Sequence, residues 1–258
     1  MKCGWDISDA DIDLWLSDCR ICASDTKEFS TFRSRPMVRQ MTDNRVSVGV
    51  WAWNEAVKLW PDLLNRVNGV VLYDRLGTPH PEDICEIEGR IISGTTAYFC
   101  LIVALIRRLY FTPPIQICRV AEIGAGYGNM AGLFMMLLGD GVESYTIYDL
   151  PDPSALQRRW LEEQRLVDRV RFTSQLESYD LVLSLCSLSE LGLTSKVLFR
   201  PLLASSSRGF HTWNTGVCRT DGDALDGLKF LRLDHPETRL LGTGIPLGDS
   251  AYCWGANL

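Results

Sequence analysis

The chain has 258 residues, enough for one large domain or a domain with a smaller attachment, and its 46% hydrophobic and 22% charged residues supply an ordinary globular core. A net charge of −6 argues against a general affinity for nucleic acid or an anionic membrane surface. The first residues are acidic rather than basic and then apolar, so no secretory leader is expected; the longest apolar run, Ala97 to Ile106, closes at Arg107-Arg108 and is too short to cross a bilayer.

From the amino end, Ser8-Asp9-Ala10-Asp11 reads as a helix start, and Ile12, Trp15, Leu16 and Cys19 recur at helical spacing. Cys19 and Cys22 are the one close pair among nine cysteines. With no second pair and no histidine pair nearby, no metal site is expected; i, i+3 packing on a helix face accounts for them. Reduced thiols and a cytoplasmic location are the expectation. Residues 26–44 are polar, with several Ser, Thr and Arg, and read as an irregular connection that orders over a ligand. Val46 to Leu59 reads as a helix, Pro61 as the first turn of another, and Asn68-Gly69 as its end. Five of the eight tryptophans lie in the first sixty residues. They either pack a small helical attachment or offer flat faces to sugar rings, with packing the favoured use.

Gly77-Thr78-Pro79-His80-Pro81 is a rigid turn. Ser93-Gly94-Thr95-Thr96 then opens an apolar helix, Ala97 to Leu109, stopped by Thr112-Pro113-Pro114. Ser93 is a candidate ligand contact, because a helix N-terminus presents N–H groups to a carboxylate; it is equally placed as a plain cap.

The organising stretch is Val120-Ala121-Glu122-Ile123-Gly124-Ala125-Gly126-Tyr127-Gly128-Asn129-Met130-Ala131. An apolar run enters three alternate glycines, and a helix pattern follows from Met130 to Leu138. That is a strand, a tight turn that a ligand can approach, and a helix start. The dinucleotide fingerprint G-x-G-x-x-G fails, because Asn129 holds its third glycine position. The form is instead acidic-x-G-x-G-x-G. Glu122, Gly124, Ala125, Gly126, Tyr127 and Gly128 are therefore candidate cofactor contacts, with the Glu122 carboxylate beside the ligand. Ser144 to Tyr148 reads as the second strand, and Asp149 at its tip, about 20 residues past the turn, is placed for ribose hydroxyls, with Leu150 next to it. Asp149 also fits as a cap for the helix from Ser154 to Arg165, where Asp152 or Ser154 would serve as well.

Val170 to Phe172 is a short strand, and Ser174 at its end is a candidate adenine contact. Tyr179 to Leu185 reads as a buried parallel strand. Polar groups follow where strand ends open into a crevice: Ser184, Ser187, Ser189 and Glu190. A helix from Ser195 to Ala204 leads to the fifth strand, Gly209 to Asn214. Residues 219–229 form a polar segment with a short helix. Strands at 239–243 and 251–254 make a closing antiparallel hairpin around Gly244 to Asp249.

These blocks resemble motif I and its partners in the S-adenosylmethionine-dependent methyltransferases. More narrowly, they resemble the sugar O-methyltransferases of bacterial polysaccharide gene clusters. The resemblance rests on Glu122 to Gly128, Tyr148-Asp149-Leu150-Pro151 with Leu156-Gln157 behind, Asp180 to Ser184, Ser187-Leu188-Ser189-Glu190-Leu191 and Trp254-Gly255. It covers roughly the last two thirds of the chain; Cys186 and Leu188 stand where bulkier aromatic residues are expected. It implies an α/β fold, a Rossmann-like seven-stranded sheet with helices on both faces. Residues 91–258 would form the catalytic domain, and residues 1–90 a mainly helical extension that caps substrate or a homodimer. It implies methyl transfer from S-adenosylmethionine to a hydroxyl of a sugar or glycan acceptor. A weakly acidic hydroxyl benefits from a general base; His211, placed at the fifth strand's end, and Glu190 are the candidates. Two alternatives stay open: a catalytically silent binding subunit of the same fold, or a methyltransferase acting on a non-sugar small molecule.

Overall fold

The computed structural model describes residues 9–42, 46–111, 119–214, 227–241 and 249–256. The N-terminal part is helical: α1 (Asp9–Ser24), α2 (Thr26–Ser30), α3 (Pro36–Thr42), α4 (Val46–Leu59) and α5 (Val67–Asp74). A hairpin of β1 (Ile84–Ile87) and β2 (Arg90–Ser93) leads into α6 (Gly94–Tyr110). There follow β3 (Arg119–Ile123), α7 (Asn129–Leu138), β4 (Ser144–Tyr148), α8 (Pro151–Glu163), β5 (Val170–Phe172) and β6 (Leu181–Leu185). The remainder is α9 (Ser187–Glu190), α10 (Leu193–Leu198), α11 (Arg200–Ala204), β7 (Arg208–Asn214), α12 (Gly227–Arg232), β8 (Arg239–Leu241) and β9 (Asp249–Trp254).

Seven strands form one sheet in the order β5-β4-β3-β6-β7-β9-β8. The first five are parallel to one another, and β9 runs antiparallel to both neighbours. This is the Rossmann-like sheet expected, closed by the expected hairpin. Strand alternation divides the core into two layers. Val120, Tyr145, Ile147, Leu181, Leu183 and Phe210 face α6, α7, α8 and the N-terminal helices. Ala121, Ile123, Val182, Trp213 and Trp254 face α9, α11 and α12.

The first layer runs without a break from Trp15 to Cys253. The division at residue 90 therefore separates no core from another. Four of the five N-terminal tryptophans are part of this packing: Trp15, Trp53 and Trp60 are buried, and Trp51 is half-buried against them, while Trp5 lies outside the described residues. Cys19 and Cys22 lie on the buried face of α1 with Trp15.

Three expectations are corrected. Residues 26–42 are helical, not irregular, because their polar groups are committed. The Asp25 carboxylate accepts the N–H groups of Lys27 and Glu28, Pro36 opens α3, and Arg39 pairs with Asp83. Arg35 pairs with Asp18 and Glu28. Asn68 and Gly69 lie inside α5, which continues directly from the turn at Pro61–Arg66 because Val67, Val70 and Val71 are buried. The helix expected over Ser195 to Ala204 is two pieces, broken between α10 and α11 at Phe199. The β1–β2 hairpin was not expected: it turns on Glu88 (φ 50°) and Gly89 (φ 67°), a pairing of positive φ values for which Asn-Gly or Asp-Gly is the usual sequence. The segment 215–226 and the turn at 242–248 lie outside the described residues.

On the second face, the buried Trp254 ring lies flat over Gly209, and a Cβ at Gly209 would fall inside it. Gly209→Ala should cost about 1–3 kcal/mol through overpacking. Urea unfolding measures it, and an unchanged midpoint would mean that the indole slides aside freely.

Candidate functional site

The strand order reverses between β3 and β6, and in an open α/β sheet the crevice beyond the strand ends at such a point is where ligands bind. Three segments meet there: the turn Gly124–Gly128 after β3, Asp149-Leu150 after β4, and Cys186 to Glu190 after β6. Gly124, Gly126 and Gly128 have φ of 66°, 55° and 93°. That left-handed backbone disfavours any residue with a Cβ. At Gly124 a Cβ would also collide with Ser187. The Gly124 N–H donates to the Tyr148 carbonyl (2.9 Å), and the Ser187 hydroxyl donates to the Gly124 carbonyl (2.7 Å). The turn is thereby tied to the segments after both neighbouring strands.

Asp149 fastens the turn from the other side. Its carboxylate accepts the Ala125 N–H (3.0 Å), the Leu150 N–H (2.8 Å) and the Gln157 amide (2.6 Å). The same Gln157 nitrogen donates to the Gly126 carbonyl at 2.8 Å. A carboxylate offers about four acceptor positions, so about one remains for a ligand hydroxyl. Burial raises the Asp149 pKa, and the three donors pull against it. Asp149 does not cap α8, nor do Asp152 and Ser154: Leu150 is the residue preceding the helix, no side chain caps it, and Pro151 fills its first position. Leu150 is half exposed beside the carboxylate, an apolar contact open to a flat ring. Gln157 is the residue that site reasoning missed. Its amide lies fully buried on the apolar α8 face with Leu156, Trp160 and Leu161, and a glutamine in that stripe is the available signal.

The N-terminal layer roofs this arrangement. Thr42 at the end of α3 touches the space over Gly126. Cys19 of α1 is buried within the field of Asp149, and Arg20 holds Asp152 at the start of α8 in a two-bond ion pair.

Other candidates take different places. Ala125 and Tyr127 are buried; the Tyr127 ring packs edge-on against Phe32 and Trp160, so only the backbone of these residues lines the turn. Ser187 and Glu190 are half-buried on α9 at the crevice, and Ser174 is exposed in the loop after β5. Three expectations are corrected, for Glu122, Ser184 and His211, and of the two readings of Ser93 the cap is the one observed. Glu122 is withdrawn from the surface: it is 1% exposed in the first core layer and accepts the Tyr145 hydroxyl at 2.8 Å. Burial pushes its pKa up to about 8. Ser93 is wholly buried as the cap of α6 and is spent on protein partners. Ser184 is also buried, and its hydroxyl accepts the Leu188 N–H. His211 lies mid-strand, opposite Ser184, with its ring stacked on Trp254 (centroids 5.0 Å apart). It is 0% exposed, and neither ring nitrogen has a partner among the described residues. Burial, with a smaller contribution from His235, pushes its pKa down to about 3, so it is neutral and sealed from the crevice.

No family model matches the chain, and no curated protein matches it. Among solved structures it is similar to PigF with SAH, at 15% identity over 53% of this chain and 55% of that one, with a TM-score of 0.41. It is similar to the mitomycin 7-O-methyltransferase MmcR at 16% identity, over 53% of this chain and 48% of that one (TM-score 0.40). It is similar to the magnesium protoporphyrin IX methyltransferase ChlM from Synechocystis PCC 6803 with bound SAM, at 14% identity over 60% and 76% (TM-score 0.43). The chain spans about half the length of the first two.

Both buried titratable groups give signed pH effects. Glu122 is raised from 4.5 to about 8, so its contribution to stability is complete below pH 4.5 and is lost as pH rises through 8. Glu122→Gln should flatten that decline, by up to about 1.4 kcal/mol per pH unit, in denaturant titrations between these limits. His211 is lowered from 6.5 to about 3, so its contribution is complete above pH 6.5 and fades as pH falls toward 3. His211→Phe keeps a flat ring and should resist acid better than the parent in that window; a parallel acid transition would show that the histidine is not buried neutral.

Proposed function

We propose that this protein is an S-adenosylmethionine-dependent O-methyltransferase. The observation that carries the reading is the joined pair of the left-handed Gly124–Gly128 turn and Asp149 at the tip of the neighbouring strand, clamped by Gln157. The residues fit an adenosine cofactor. Asp149 has an acceptor position to spare for a ribose hydroxyl, Leu150 offers an apolar face to the base, and the turn brings bare backbone to the remainder. Ser174, exposed after β5, is the residue we assign to the adenine edge.

The cofactor supplies an activated methyl group on a sulfonium, so the protein's task is alignment and exclusion of water. Asp149 and the turn hold one reactant. The α9 segment, beyond β6 on the other side of the crevice, holds the other. Glu190 is the group we assign as general base, taking the hydroxyl proton of the acceptor, since His211 is wholly buried and, with its pKa pushed down to about 3, a weak base. The acceptor class we assign is a sugar or glycan hydroxyl, supported by the Ser187 to Leu191 block.

Calorimetric titration with S-adenosylmethionine, S-adenosylhomocysteine and NAD tests the cofactor: the first two should bind and the third should not. Asp149→Ala should weaken S-adenosylhomocysteine by about 1.5–3 kcal/mol for the charged hydrogen bond lost. Equal affinity would remove the ribose role. Glu190→Gln should leave that affinity alone and slow methyl transfer to hydroxylated acceptors by roughly 10²–10⁴-fold; full turnover would eliminate Glu190 as the base.

A further inference from the structure

Behind the glycine turn lies a buried ion pair that the cofactor site does not itself contain. The Arg33 guanidinium is 0% exposed and donates to the Asp74 carboxylate at 2.9 Å, to the Asp74 carbonyl at 2.8 Å and to the Ser93 hydroxyl at 2.6 Å. Asp74 is 3% exposed and also accepts the Ser93 N–H (2.5 Å), the Ser93 hydroxyl (2.7 Å) and the Thr96 hydroxyl. Four donors meet this carboxylate, three at Oδ1 and one at Oδ2.

The direction of these bonds carries the consequence. An ionised carboxylate can only accept, so the Thr96 hydroxyl must give its proton to Asp74. Its lone pairs are then turned outward, and one accepts the Asn129 amide at 3.2 Å. The same amide nitrogen donates to the Tyr127 hydroxyl at 3.0 Å. Asn129 is the first residue of α7, directly after Gly128, and Tyr127 lies inside the turn. Tyr73, the neighbour of Asp74, adds a second tie by donating to the Asn129 carbonyl at 2.8 Å. Trp160 of α8 in turn donates to the Tyr73 hydroxyl at 2.9 Å.

We propose that Asp74, with Arg33 as its counter-charge, is a positioning residue for the cofactor: through Thr96 and Asn129 it fixes the Gly124–Gly128 turn from behind, in its binding shape, before the ligand arrives. This rests on the cofactor reading above. It gives the N-terminal layer a role in affinity as well as in packing.

The test cuts the chain of bonds at Thr96, which leaves the Arg33–Asp74–Ser93 contacts in place. Thr96→Val keeps the shape and removes the hydroxyl; Thr96→Ser keeps the hydroxyl. Affinity for S-adenosylhomocysteine is measured by calorimetry at a temperature where each variant is fully folded by circular dichroism. Amide exchange over residues 124–129 is followed in the unliganded proteins. The expected result is a dissociation constant raised about tenfold in Thr96→Val, with faster exchange at the turn, and both restored by Thr96→Ser. A Thr96→Val protein with a lowered melting temperature but native affinity would overturn the proposal and leave the network purely structural. Should Thr96→Val fail to fold, Asn129→Asp, which replaces the donating amide by an acceptor, tests the same link with the same two outcomes. A parent protein that binds no S-adenosylhomocysteine would overturn the cofactor reading, and the proposal with it; native affinity in the parent and in the variant alike overturns the proposal alone.

Discussion

A guanidinium and a carboxylate withdrawn from water stay charged only when their hydrogen-bonding capacity is met inside the protein, and the Arg33–Asp74 pair constrains the fold on those terms. The pair and its partners come from four places in the chain: the turn after α2, the end of α5, the end of β2 and the first turn of α6. No one of these elements can shift without exposing a buried charge to the loss of a partner. The N-terminal helices are joined to the sheet in two ways. They share the apolar layer of the sheet, and they hold one half of an ion pair network whose other half caps α6.

The two carboxylates that flank the glycine turn show how burial decides chemistry. Glu122 is one residue before the end of β3 and points into the helical layer, where a single phenolic donor meets it and the neutral acid is favoured. Asp149 stands at the tip of β4, where backbone N–H groups and Gln157 converge. Both residues are acids beside the same turn. One is a buried hydrogen-bonding group of the core, and the other is the acceptor on which the neighbouring loops are drawn together.

Much of this was legible in the sequence. The parallel strands read clearly, because strands buried on both faces are written as unbroken apolar runs, as in Leu181 to Leu185. The turn read clearly because only glycine relieves its backbone. What stayed hidden was decided by partners distant in sequence. Residues 26–42 look like a loop until Arg35 and Arg39 find Asp18, Glu28 and Asp83. Ser93 was equally readable as cap or ligand contact, and Asp74 settles it. His211 illustrates the limit of position along a strand. Its place in the chain suggested the crevice, but the register puts it opposite Ser184, below the strand ends, where Trp254 closes over it. Gln157 was visible only as part of a pattern, because nothing local says which carbonyl and which acid a buried amide will join.

The Trp254 ring over Gly209 also decides what covers β7. β7 leaves its synthesis site well before β9, the strand that pairs with it from Gly209 to Asn214. Until β9 arrives, β7 presents a row of unsatisfied backbone groups, and the smooth floor at Gly209 stays uncovered. An edge of that kind invites pairing with another chain. The indole that closes over Gly209 stacks on both His211 and His235, so β9 covers β7 on its far face as well as along its edge. β7 without β9 is thus an open edge, while β3 at the glycine turn is flanked by β4 and β6.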